Sequence, residues 1–411
     1  MKNTFSFALP LILFLGLYPV DGYKYTGIRR LERLRLRLAG EMKGPAPVVG
    51  GRKLYDEIKL HLYDTPAETL ATFPEADSAL QVQIKKLFVG RDKSYSVSLL
   101  DITPGQPIRF ASHRAGYQYQ PGSVGKMAIA AGFFTELQRL FPDSVKYRIW
   151  LLRSRMVIAD RWIHKASHEV PIFHPETRRV EFRKVQEGDT FTLYEWLDYM
   201  LSSSSNSAAS TVWKEAMLMR QFGRFYPPAK ELEDEFFNKT PKKTLQAIAL
   251  SVVNDPLRRI GIEDKDWRLG SFFTWTGKKI VPRGGSHGTP NGLLQFLLRL
   301  EQGRVVDPWS SLEIKRLLYM TEKRIRYASA PRLAKSAIYF KSGSLYSCKD
   351  EPGFECGKYM GNRANYMNSV AIVEKPDGKV YMVVLMSNVL KINSAVEHQT
   401  LATYIDRTLT R

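Results

Sequence analysis

Hydrophobic alternation with a two-residue period is concentrated at the two ends of this chain. At the front, Tyr95 to Ile102 (YSVSLLDI) alternates as a strand does, Thr103-Pro-Gly-Gln is a turn, and Ile108 to His113 reads as the paired strand. At the back, Ala337 to Lys341, Ser369 to Glu374 and Val380 to Ser387 read as strands, the last two joined by Pro376-Asp-Gly378. The intervening stretch, about residues 143–330, is mostly helical in pattern, including 193–218 and 290–303. Helices are also expected over Ala79–Phe88, over Met127–Phe141 (strongly apolar and stopped by Pro142) and over Ser394–Leu409. One sheet must therefore be assembled from both chain ends, with a helical lobe inserted between them. This is an α/β (α+β) plan, and it sets a domain at residues 75–411.

Residues 1–22 read as a targeting segment. Lys2 supplies the positive end, Phe5 to Val20 is an uncharged apolar run, and Val20-Asp21-Gly22 precedes a cut site after Gly22. The run is short for a bilayer-spanning helix, which needs about 20 residues. Two readings follow, a cleaved signal peptide or an uncleaved anchor, and either makes the protein exported, periplasmic or secreted. Residues 23–74 form a basic extension and linker. Within it Ile28, Leu31, Leu34 and Leu38 are spaced as a helical stripe, while Leu34, Leu36 and Leu38 are spaced as a strand. Periodicity leaves both open, as it does the choice between a membrane-surface helix and a segment docked on its own domain. The stretch 44–51 (GPAPVVGG) reads as a linker.

The chain carries a formal charge of +20, and losing Lys2 together with Asp21 would not change it. Such a field favours anionic surfaces, and export directs attention to phospholipid or wall polymer. No zinc finger, RNP-like aromatic pair or basic helix–turn–helix pattern supports nucleic acid as a partner. Two cysteines, Cys348 and Cys356, can form a local disulfide in an exported protein, worth only ~2–3 kcal/mol for so short a ring. They have no histidine close in sequence and do not suggest zinc.

Three short segments carry chemistry. Ser123-Val-Gly-Lys126 opens the apolar helix, and the i to i+3 spacing puts the hydroxyl and the amine on one face. A serine is a poor nucleophile without a base, and a lysine is a base only where burial or neighbouring positive charge makes it neutral. The N–H groups at the helix start favour an oxyanion. Taken alone the pair is a weak signal, since a capping serine and a solvated lysine give the same spacing, and the glycine spacing together with Met127 excludes a phosphate loop. The second segment is Ser204-Ser205-Asn206, otherwise a helix-capping cluster. The third is Lys341-Ser342-Gly343-Ser344 on an expected strand, suited to a substrate carboxylate or otherwise an edge-strand lysine.

In this order and on these elements, the three segments resemble the penicillin-recognising serine enzymes, a family that includes class A β-lactamases and D-alanyl-D-alanine carboxypeptidases. The resemblance covers about residues 75–411 and extends to the YSVSLLDITPGQPI hairpin, the EGDTFTL approach to the second motif, the TPNGLLQFL helix and the SVAIVEKPDGKVYMVVLMS hairpin. It implies a β-lactamase/transpeptidase-like fold with an antiparallel sheet. Ser123 would be the acylated nucleophile, Lys126 its base and Ser204 the proton relay. Asn206 would bind the substrate amide, backbone N–H groups of Ser123 and Ser344 would form the oxyanion hole, and Lys341, Ser342 and Gly343 would form the carboxylate-binding strand. Arg363 would assist carboxylate binding. The implied substrates are D-alanyl peptides and β-lactams, and neither a cofactor nor a metal is implied.

The chain departs from the class A pattern in one respect that matters. No Asp or Glu occurs from Trp267 to Leu300, where the glutamate that activates the deacylating water is expected. Glu231, Glu233, Asp234, Glu235, Glu263, Asp264 and Asp266 are the acidic candidates farther back. His287, in Gly-Gly-Ser-His-Gly, is an accessory candidate near the acyl site. The segment between the first two motifs is longer than in a compact class A enzyme, and His164 and His168 would face one another if it were helical. These features favour a D,D-peptidase or related acyl hydrolase. The alternatives are a β-lactamase with a relocated base and a β-lactam or wall-fragment sensor.

Overall fold

The computed structural model describes residues 19–43, 53–165, 168–281, 284–322 and 324–409. The apolar run up to residue 18 and the linker at 44–51 lie outside the described residues. The sheet is built from both chain ends. Strands β1 (Ser96–Asp101) and β2 (Arg109–His113) come from the front, and β3 (Ala337–Ser347), β4 (Ala364–Glu374) and β5 (Val380–Asn388) from the back. They are ordered β2-β1-β5-β4-β3, and every neighbouring pair is antiparallel.

The central strand shows how period two builds layers. Met382, Val384 and Met386 of β5 enter one buried cluster, while Tyr381, Val383 and Leu385 enter another on the opposite face. The second cluster is closed by helices Ser78–Lys86 and Ala395–Leu409. The first is the large core shared with the helical lobe. Its axis is the helix Lys126–Leu140, buried from Lys126 through Leu137, as a helix apolar all round must be. A Cβ on Gly132 would lie 2.5 Å from the Val252 carbonyl oxygen, so only glycine lets helix Lys242–Arg259 cross here.

The lobe is less purely helical than its pattern suggests. Glu169–His174 pairs with Arg179–Lys184, Met156–Ile158 with Thr190–Thr192, and Trp267–Arg268 with His287–Gly288, each as a two-stranded antiparallel ribbon. Val170 to Phe173 are all buried, so the first hairpin strand presents a continuous apolar run in which no alternation is visible.

The ambiguous basic stretch is a helix, Arg29–Leu38, and its Ile28, Leu31 and Leu34 belong to the main core together with Tyr55, Ile58 and Leu62. Two of its arginines, Arg30 and Arg33, are also buried. Arg30 grips Asp198 with two bonds of 2.5 and 2.6 Å and donates to Glu322 at 2.7 Å and to the Met320 carbonyl at 2.7 Å. Arg33 reaches Glu322 at 3.1 Å, and Arg29 reaches Glu195 at 2.7 Å. Glu195 and Asp198 lie on helix Leu193–Leu201, which leads directly into Ser204. Cys348 and Cys356 are disulfide-bonded, with their Cα atoms 6.3 Å apart.

Removing one partner of a buried ion pair leaves the other charge uncompensated. Arg30→Ala is therefore expected to lower unfolding free energy by about 3–5 kcal/mol, as measured by urea denaturation followed by circular dichroism.

Candidate active site

Ser123 sits on a single 3-10 turn, Gly122–Gly125, that runs straight into the buried helix Lys126–Leu140. The turn is pressed against β3. A Cβ on Gly343 would meet the Pro121 oxygen at 2.1 Å, the Val124 nitrogen at 2.9 Å and the Ser123 nitrogen at 3.1 Å. From the other side, a Cβ on Gly122 (φ +54°) would lie 2.8 Å from both the nitrogen and the oxygen of Ser344. Glycine at both positions lets the backbones of Ser123 and Ser344 meet, and these are the two N–H groups assigned to an oxyanion. The buried Asn368 on β4 ties the arrangement to the sheet, donating to the carbonyls of Gln120 (2.8 Å) and Pro121 (3.1 Å).

The second motif arrives through helix Leu193–Leu201 and its following turn. Ser205 caps the next helix, Asn206–Phe222, its hydroxyl accepting from the Ala208 N–H. Ser204 itself is held at φ +59°, a left-handed conformation that a non-glycine residue adopts only when its surroundings enforce it. Here the Ser204 carbonyl accepts from Lys126 Nζ at 2.5 Å and its hydroxyl from Lys341 Nζ at 2.8 Å.

Lys126 Nζ has four neighbours: Ser204 O at 2.5 Å, Asn206 Oδ1 at 2.8 Å, Ser123 Oγ at 3.0 Å and Ser204 Oγ at 3.3 Å. The side chain is fully buried, lies 4.8 Å from the Phe273 ring centre, and has no carboxylate partner among the described residues. Burial, followed by the nearby Lys341 charge, holds its amine well below the ordinary lysine range. In the neutral form two N–H groups suit the two carbonyl-type acceptors, Ser204 O and Asn206 Oδ1. The lone pair is then left for the Ser123 hydroxyl. Lys341 is also buried, and burial and then Arg326 draw it down to about 7. This arrangement suits the roles expected of Lys126 as base and Ser204 as proton relay.

Two openings meet at Ser123. One is a cavity of about 180 Å³ bounded by Ser204, Lys341, Ser342 and Arg326; the other is an open groove of about 1070 Å³ bounded by Gln120, Asn206, Phe273 and Tyr366. Asn206, expected to meet the substrate amide, both borders the groove and binds Lys126.

Several expected residues fall elsewhere. Arg363 is exposed and borders neither opening; it precedes β4, whose first residue, Ala364, pairs with Ser347, beyond the third motif. The buried arginine at the site is Arg326, held at φ +53° and donating to the Gly343 carbonyl at 2.7 Å. Nothing in its local sequence marks it. His287 is also displaced, since its ring nitrogens engage the backbone oxygens of Gly285 (3.0 Å) and Asp264 (2.6 Å). His164 and His168 do not share a helix: one follows a 3-10 turn and the other precedes the first hairpin strand. His168 borders both openings, and burial followed by the Lys126 and Lys341 charges lowers it to about 4.

None of the acidic candidates borders either opening. Glu233 binds Lys214, Asp234 binds Lys230, Glu235 binds Lys239 and Glu263 binds Lys265, while Asp264 lies near Arg258 and Arg268. The carboxylates that do border the smaller cavity are Glu169, which is exposed, and Glu322, which is held by Arg30 and Arg33.

No family model matches this chain, and no curated protein matches it. Solved structures share its fold. A β-lactamase from Chitinophaga pinensis DSM 2588 superposes with a TM-score of 0.52 at 14% identity, covering 80% of this chain and 97% of that one. PBP-A gives 0.51 at 15% identity, covering 82% and 99%. The TLA-3 extended-spectrum β-lactamase gives 0.51 at 11% identity, covering 80% and 97%. The chain therefore has a β-lactamase/transpeptidase-like fold.

Gly343→Ala tests the backbone contact. Displacing one oxyanion donor costs about 10²–10³-fold in rate, so the expected acyl-enzyme on Ser123 should form at least about 100-fold more slowly in this variant, as read with a chromogenic β-lactam.

Proposed function

We propose that this protein is an exported serine acyl hydrolase that forms an acyl-enzyme on Ser123 with D-alanyl peptides and β-lactams. The observation that carries this reading is the buried Lys126 amine, 3.0 Å from Ser123 Oγ and surrounded by oxygen acceptors that carry no charge. Ser123 Oγ attacks the amide carbonyl while its proton passes to Lys126. The C–N bond then breaks as Lys126 returns a proton, through Ser204 Oγ, to the leaving nitrogen. Lys126 is neutral again. It takes a proton from the incoming water as that water attacks the ester, and delivers it to Ser123 Oγ as the acid product leaves. Lys341 and Arg326 attract the substrate carboxylate.

The same site handles a β-lactam differently. Its amine stays tethered within the adduct and occupies the path of water, and none of the acidic candidates for a dedicated base borders the openings at Ser123. This favours slow release of a lactam over efficient hydrolysis. One solved structure of the same fold is an acyl-enzyme complex of a PBP-A mutant with penicillin G. Export, read from residues 1–22, would bring the enzyme to wall peptides, and the +20 charge suits an anionic membrane or wall surface.

Intact-mass spectrometry after benzylpenicillin treatment is expected to show one lasting adduct on the protein and none on Ser123→Ala. Release of D-alanine from a pentapeptide separates an enzyme from a sensor. No adduct on the folded protein overturns the reading.

The acylation rate should rise with pH as Lys126 loses its proton and fall above about 7 as Lys341 loses its charge. Arginine stays charged at all working pH values. Lys341→Arg should therefore remove the alkaline limb below about pH 9, as read from the pH dependence of kcat/KM.

A further inference from the structure

The smaller cavity is larger than a carboxylate requires. In a carboxypeptidase reaction the residue with the free carboxylate is the one that departs, so the cations Lys341 and Arg326 identify this cavity as the leaving-residue side. Its volume of about 180 Å³ is many times the roughly 10–15 Å³ that admits a single water, so a carboxylate and a methyl group leave space beside them.

The lining beyond the two cations mixes polar groups, among them His168, Glu169, Thr321 and Glu322, with five apolar side chains that come from separate parts of the chain. Pro171 and Phe182 belong to the two strands of the inserted hairpin, Leu201 ends the helix before the second motif, Ile325 precedes Arg326, and Phe340 precedes Lys341. Phe182 is 46% exposed and Ile325 39% exposed. Large apolar side chains left in water beside a charged pocket are what an apolar ligand group would cover. The wall is also rigidly placed. The Tyr199 hydroxyl donates to the Pro171 carbonyl at 3.2 Å, and Glu322 at the cavity edge is fixed by Arg30 and Arg33.

We propose that this cavity is a side-chain subsite for the departing residue, selecting a C-terminal D-amino acid with an apolar side chain larger than methyl, with Phe182 and Ile325 as its specificity-determining residues. The inference rests on the acyl-hydrolase reading and deepens it. The bond broken is the same amide, and the departing amine is a D-leucine- or D-phenylalanine-like residue instead of D-alanine.

The test is a series of diacetyl-L-Lys-D-Ala-X peptides with X as D-Ala, D-Leu or D-Phe, measuring release of X by the full chain. A methylene in a fitted pocket is worth about 10-fold or more in kcat/KM. D-Leu or D-Phe should therefore exceed D-Ala by at least about 10-fold, and Phe182→Ala and Ile325→Ala should each shrink that ratio. Because both are surface side chains, a thermal melt checks that the variants fold, and Phe182→Lys is a second variant that should depress D-Leu release more than D-Ala release. Equal or faster release of D-Ala by the wild type, or a ratio unmoved in folded variants, overturns the subsite. The underlying reading fails separately, through absence of both a penicillin adduct on Ser123 and release of any X.

Discussion

A lysine amine placed in the core with only oxygen acceptors around it is the constraint from which the rest of this site follows. Burying an unpaired ammonium is costly enough that the group gives up its proton. No carboxylate among the described residues contacts Lys126, and the charge that acts on it is the like charge of Lys341. A carboxylate in contact would favour the ammonium, and the lone pair facing Ser123 would be lost. The absent glutamate and the depressed amine of Lys126 are thus two aspects of one electrostatic arrangement.

Holding that amine in place requires three distant pieces of chain to meet at backbone distance. The turn that carries Ser123 can approach β3 only because Gly122 and Gly343 lack side chains, and it is tied to β4 by Asn368. The second motif enters with Ser204 in a left-handed conformation, whose cost of about 1–3 kcal/mol is opposed by the bonds from Lys126 and Lys341 to the same residue. A sheet closed from both chain ends makes this possible. The first motif follows strands from the front, the third is a strand from the back, and β5 joins the two groups.

What could be read from the sequence was what depends on short-range pattern. Period two located all five sheet strands, and i to i+3 spacing put Ser123 beside Lys126. The strand expected at Ser369 begins at Ala364, so Asn368, one residue outside the expected element, went unnoticed. Arg326 was illegible for another reason, and His168 stood out only through a helical spacing that the structure does not have. Each reaches the cavity through a position set by a left-handed backbone or a hairpin approach, and no spacing rule encodes those. The basic helix was ambiguous because its leucines satisfy two periods at once. Its decisive feature is a pair of buried arginines whose partners, Asp198 and Glu322, lie far along the chain. Arg363 shows the converse error, a residue close to the motif in sequence that ends on the surface.

The elaborations of the fold converge on one place. Helix Arg29–Leu38 packs against the hairpin strand Glu169–His174, and both touch helix Leu193–Leu201, through Arg29 and Arg30 on one side and through Pro171 on the other. That helix ends three residues before Ser204. A displacement of the N-terminal helix would therefore move the wall of the smaller cavity and Ser204 together, since Arg30 bridges Asp198 and Glu322. The site is positioned by the same buried charges that stabilise the lobe, which couples the geometry around Ser204 to the integrity of a segment far from it in sequence.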